Sequence, residues 1–221
     1  MRPDITFVLA GECARLAQTL SGLDEPAYGR PTRCPPWTVK ELAGHLWRGM
    51  DRLPSYLAEP PAEAAGDDAV SYFRYDAVAE GPEIAARSIE VAARFDSGAD
   101  FARSFDEHWR TCVEAARAAD PARLLRTRVS AGIRLDEFCA TRVVEVAVHG
   151  LDIARALDLE PWITPAGREV TTAILRSLLG QDPPGHWDAV AFIEIGTGRR
   201  APDDHDLEVL GAAAGRFPLF A

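Results

Sequence analysis

The chain has 221 residues, is 47% hydrophobic and carries a formal net charge of −10. That apolar fraction suffices for an ordinary core, while the acidic balance repels phosphate backbones and anionic membrane surfaces, which argues against nucleic acid and membrane as partners. No apolar run reaches the roughly 18 residues a transmembrane helix needs, and Asp4 and Glu12 interrupt any signal-peptide layout in MRPDITFVLAGECARL, so a cytoplasmic location is expected.

Residues 4–22 read as an amphipathic helix, with Phe7, Ala10, Cys13, Leu16, Ala17 and Leu20 recurring every three or four positions and Gly22 as a stop. Pro26, Pro31, Pro35 and Pro36 make 23–37 a loop. Thr38 and Glu41 then have the spacing of a capping box, which predicts a helix to about residue 57, kinked or ended early by Pro54. Trp37, just before the cap, is placed to pin the helix entry. Small and acidic residues over 59–70 form a loop, and 71–94 reads as helical with a break near Gly81 and Pro82. A helix over 99–118 carries the apolar stripe Phe101, Phe105, Trp109, Cys112 and Val113.

The segment 124–134 alternates weakly and suits a short strand or an extended turn. A long helix follows over 135–157, with Asp136 as its cap. Thr164 and Pro165 open another helix to about residue 180. In 187–196 a strand competes with a helix, and 204–214 reads as a last short helix. The sum is a mainly α fold: a helix bundle over residues 1–160, and a C-terminal helix with a small mixed α/β appendage over 161–221 packing on it. Cys13, Cys34, Cys112 and Cys139 show no metal-site or redox spacing, so free thiols are expected, three of them packing as small hydrophobes.

The chemistry concentrates in the helix over 135–157. Glu145 and His149 stand four residues apart, hence on one helix face, in a segment of Val144, Val146, Ala147, Val148 and Leu151. A carboxylate and an imidazole so placed can share one divalent metal, zinc above all. An isolated pair of this kind is more often an ordinary helix contact. His45, mid-helix in a second bundle segment, would complete a three-ligand site with one position open for chemistry. Alone it reads more simply as a core histidine. His108, on an amphipathic helix and expected to be exposed, and His186 and His205, in loop-like sequence, read as non-ligands. Asp152 either orients His149 as an outer acceptor or pairs with Arg155. Cys34 has no sequence-adjacent base and is followed by two prolines, so a structural role is expected for it.

The stretch PTRCPPWTVKELAGHLWRGMDRL over 31–53 resembles the opening signature of the mycothiol-dependent maleylpyruvate isomerase family, within the DinB-like metalloenzymes, and EVAVHGLDIARAL over 145–157 resembles its later metal-binding helix. The resemblance implies a DinB-like four-helix bundle, with His45, Glu145 and His149 as zinc ligands. GTGRRAP over 196–202 is similar to the family's Gly-Arg segment, which makes Arg199 the candidate catalytic arginine, against its reading as a solvated charge. The implied cosubstrate is mycothiol, a low-molecular-weight thiol brought to thiolate on the metal. The expected activity is S-transfer to a small electrophile, with maleylpyruvate-type cis-trans isomerisation as its neighbour. A metal-dependent hydrolase and a non-catalytic metal-binding module are the readings from other classes. An exposed apolar bundle face would allow a homodimer.

Overall fold

In a computed structural model of the chain, the described residues are 4–74 and 81–220. Residues 75–80 of the helix expected over 71–94, and the first three residues of the chain's opening, lie outside them.

Helix α1 (Ile5–Ser21) starts where Asp4 accepts a hydrogen bond from the Thr6 amide and stops at Gly22. The loop after it contains one turn not anticipated, α2 (Glu25–Tyr28), where Asp24 caps the turn and Pro26 occupies its start. Tyr28 is buried and donates its hydroxyl to the Leu20 carbonyl at 2.7 Å. Helix α3 (Val39–Ala58) opens on the expected capping box, the Glu41 carboxylate accepting from the Thr38 amide at 2.8 Å. It runs through Pro54 without ending.

Beyond the loop a single 3-10 turn (Ser71–Arg74) precedes α4 (Gly81–Ala92) and α5 (Gly98–Ala118). All five stripe residues of α5 are buried. The segment 124–134 is a minimal hairpin of β1 (Leu124–Leu125) and β2 (Ile133–Arg134), antiparallel, with Leu125 opposite Ile133. It feeds directly into α6 (Leu135–Ala156), so Arg134 takes the cap position and Asp136 does not cap. Asp136 instead accepts from the Arg134 guanidinium at 2.7 and 2.9 Å.

Helix α7 (Pro165–Leu179) is capped by Thr164 and closed by Gly180 in the left-handed region, as its signals demand. The competition over 187–196 resolves to helix, α8 (Ala189–Gly196), because the Asp188 side chain caps it through the Ala191 amide. Helix α9 (Asp204–Leu210) and a 3-10 turn (Gly211–Arg216) complete the tail. The described tail therefore contains no strand. The appendage is helical rather than mixed, and the two short strands precede α6.

Helices α1, α3, α5 and α6 form the bundle, with α4 against α3 and α7 against α6 and α1. One core, centred on Leu16, Leu42, Phe101, Phe105 and Phe138, fills the bundle. A second, including Val144, Val148, Leu151, Leu175 and Phe192, lies between α6 and the tail. Helix α6 is buried nearly all round because it serves both cores. Cys13, Cys112 and Cys139 pack in the bundle core as free thiols. Among the described residues no helix is long and apolar enough to cross a membrane.

Helix α4 approaches α3 at Gly44, where a Cβ would stand 2.8 Å from the Ser88 carbonyl oxygen. Gly44→Ala must push the helices apart, at a cost of about 1–3 kcal/mol. Thermal unfolding should show a midpoint lower by about 2–4 °C for each kcal/mol lost. An unchanged midpoint would mean that the α3–α4 contact yields freely.

Candidate metal centre and its cavity

Three side chains from two bundle helices converge at the floor of a cavity of about 530 Å³. His45 comes from α3, and Glu145 and His149 from successive turns of α6. His45 Nε2 lies 3.2 Å from Glu145 Oε2, and His149 Nε2 lies 3.8 Å from the same oxygen. One donor atom from each of the three lies within 4.8 Å of the others. Ligands held about 2.0–2.2 Å from a tetrahedral ion stand about 3.4 Å apart, so this donor set suits a single small divalent cation. The side chains are 18%, 23% and 12% exposed, which leaves the group open on its cavity side.

The Glu145 carboxylate supplies negative charge to the group. Burial by itself would raise the Glu145 pKa, but the His45 hydrogen bond, with the charges of Arg142 and both histidines, holds the carboxyl well below its usual range. Burial pushes the His45 imidazole down, against the hydrogen bond it donates to the Glu145 carboxylate. The His45 Nδ1 atom is buried without a partner among the described residues. Trp37 packs at the helix entry as expected, and its ring also stacks on His45 with centroids 4.9 Å apart.

His149 is positioned from behind. Its Nδ1 lies 3.0 Å from Asp152 Oδ2, the arrangement that leaves Nε2 to face Glu145. Burial would depress this imidazole, but hydrogen bonds to Asp152 and Cys34 and the Asp152 charge outweigh it and raise the pKa to about 9. Asp152 therefore takes the orienting role and does not pair with Arg155, which reaches Glu194 at 3.2 Å instead.

Asp152 is fully buried and anchors an ion network. Arg33 Nε donates to its Oδ1 at 2.7 Å, Arg199 Nη2 to its Oδ2 at 3.1 Å, and the Cys34 thiol lies 3.1 Å from Oδ2. Burial alone would raise the Asp152 pKa, but His149 and Arg199 hold it far below the carboxylate range. Arg33 also bridges to the buried Glu194 of α8 at 2.9 Å. Arg199 reaches the network because Gly198 adopts φ +73°, a left-handed turn that redirects the chain after α8. It lines the cavity and is not a solvated charge.

Cys34 lines the cavity and touches Asp152, and one donor atom each of Cys34, His149 and Asp152 also cluster within 4.8 Å. Two guanidinium groups already occupy Asp152, so this second cluster suits an ion network better than a cation. His108 is not exposed as expected. It stacks on Trp47 with centroids 3.7 Å apart, near Asp51 and away from the triad. His186 pairs with Asp206 at 2.7 Å, and His205 lies on α9. Arg33 and Glu194 were missed in the sequence. The signal for Glu194 was an acid in the otherwise apolar AVAFIEI run, which in a helical tail means a buried charge needing a partner.

A family model described as Mycothiol maleylpyruvate isomerase N-terminal domain matches residues 9–154, well over half of the chain, and the match contains His45, Glu145, His149 and Asp152. No curated protein and no solved structure matches the chain.

Asp152→Asn keeps the shape of the side chain but leaves Arg33 and Arg199 without their shared counter-charge. Breaking a buried ion pair from one side is expected to lower unfolding free energy by about 3 kcal/mol. The measurement is the chemical-denaturation midpoint. A change within error would show that the network orients groups without stabilising the fold.

Proposed function

The chain belongs to the mycothiol maleylpyruvate isomerase N-terminal domain family, and on that premise we propose that it is a zinc-dependent enzyme that joins the thiol mycothiol to a small electrophile. The observation that carries this reading is the meeting of His45, Glu145 and His149 at the floor of a cavity lined by apolar groups. A divalent cation there supplies Lewis acidity, which turns a thiol with an ordinary pKa near about 8.5 into a thiolate at neutral pH.

The chain's own residues do the rest. Glu145 brings the single negative charge that the cation needs. Asp152 fixes the orientation of the His149 ring, so that Nε2 faces the cavity floor. Trp37 stacks on His45 and restricts that ring. Arg199 stands on the cavity wall, where its guanidinium can donate to an oxygen of the electrophile that gains charge during addition. An adduct that is retained amounts to S-transfer. An adduct that rotates about the former double bond and expels the thiol amounts to cis-trans isomerisation. The family's description names an isomerase, the second outcome, and both begin with the same addition.

The test is metal content by elemental analysis on the wild type and on His45→Ala and Glu145→Ala, all purified without chelator. Near one zinc per chain in the wild type, lost in both variants, is the expected result. Mycothiol consumption with an enone should then follow zinc content and cease in chelator. No stoichiometric metal after zinc is supplied would refute the site. Product formed from the electrophile without thiol would point to hydrolysis instead.

A further inference from the structure

Away from the metal centre, the packing of α3 on α4 gathers arginines that stand far apart in the sequence. Lys40 of α3 donates to the Phe95 carbonyl at 2.8 Å, and Gly44, one turn on, faces Ser88 and Ala92 of α4. The two helices therefore run antiparallel, and the next turn of α3 brings Arg48 level with Arg87. Arg52 follows Arg48 by one further turn on the same helix face. Its guanidinium stands over the Tyr56 ring, 5.9 Å from the centroid. The Tyr56 hydroxyl accepts from the Arg128 amide at 3.4 Å, which sets the loop between β1 and β2 against the end of α3.

This gathering is unfavourable by itself. Burial, then the charges of Arg52, Arg87 and Arg128, push the Arg48 guanidinium down to about 10, and Glu90 opposes them. Glu83 holds Arg87. Arg48 is half-buried and makes no hydrogen bond or ion pair among the described residues. Arg33 and Arg199, by contrast, are each matched to a buried acid. A guanidinium fork taken partly out of water ordinarily meets a carboxylate or a phosphate. A fork kept half-buried among like charges, in a chain of formal net charge −10, therefore points to an anion from outside.

We propose that Arg48 and Arg52 of α3, with Arg87 of α4 and Arg128 of the hairpin loop beside them, form a binding site for a phosphate group. Donors arriving from three elements suit the three terminal oxygens of a phosphate, whereas a carboxylate offers two oxygens in one plane. A free phosphate ion and a phosphomonoester share that chemistry. The row of arginines begins one turn after His45, and α4 contributes Ile84 and Ala85 to the cavity lining, so the phosphate site adjoins the cavity without including its floor. It does not depend on the metal or thiol reading.

The experiment is thermal unfolding of the full chain with added inorganic phosphate and, separately, glycerol 3-phosphate, the ionic strength being held constant with chloride. At least one should raise the midpoint saturably, and the lower half-saturating concentration identifies the source. Arg48→Gln and Arg52→Gln should each raise that concentration by about tenfold or more, as loss of a charged hydrogen bond requires. Arg168→Gln, at an exposed position on α7, should leave it unchanged. The response should persist in chelator, since phosphate bound to a cation at the cavity floor would leave with the cation. In phosphate-free buffer Arg48→Gln should unfold at the wild-type midpoint or above it, because like-charge crowding is relieved. The proposal is overturned by no saturable rise with either compound, by an unchanged response in both arginine variants, or by loss of the response in chelator. A lower midpoint of Arg48→Gln in phosphate-free buffer also overturns it, since the arginine would then serve the fold.

Discussion

The structure around the cavity depends on the fully buried carboxylate of Asp152. It lies on α6 three residues after His149 and within reach of four groups from three parts of the chain. A bare carboxylate at that depth would be untenable, so the fold must deliver cations to it. Arg33 arrives from the loop before α3 and Arg199 from the turn after α8, and each brings its own segment with it. Glu194 balances part of the surplus charge by holding Arg33 and Arg155. Removing the carboxylate would cost Arg33 and Arg199 a shared partner and leave the His149 ring without its acceptor.

How much of this could be read from the sequence depended on whether the relevant contact was local. The capping box at Thr38 and Glu41, the Thr164 and Gly180 ends of α7 and the four-residue spacing of Glu145 and His149 are all local, and each emerged where expected. His45 joins the other two across 100 residues. No periodicity reveals that meeting, and it was anticipated from family resemblance. The contacts of Cys34 and Arg33 with Asp152 are equally distant in sequence, so a thiol with no neighbouring base reads as structural. His108 was misplaced because helical periodicity assigns a face but does not show that Trp47 covers it. The strand-like run over 187–196 became helix because a cap, Asp188, favours it over β-branched and aromatic propensity, and among the described residues the segment pairs with no strand.

The cavity combines two solvents. Its floor is a half-buried set of nitrogen and oxygen donors suited to a hard or borderline cation. Its walls are largely hydrocarbon and aromatic rings, beside which an electrostatic interaction is screened less than in open water. A thiol, polarisable and weakly hydrated beside an alcohol or amine, suits the boundary between them. The bundle supplies the floor. The turn before α4 and the C-terminal tail supply much of the wall.

Helix α6 closes the bundle core with one face and the tail core with the other. Val144 and Val148 belong to the tail core, line the cavity and flank the Glu145–His149 turn. A substitution at either position must satisfy packing and site geometry at once, which leaves α6 little evolutionary freedom. Phe73 and Phe220 carry a lighter constraint, since they stack on each other and can change as a pair. Descendants of such a scaffold can therefore diversify ligand preference at the rim while inheriting α6 almost unaltered.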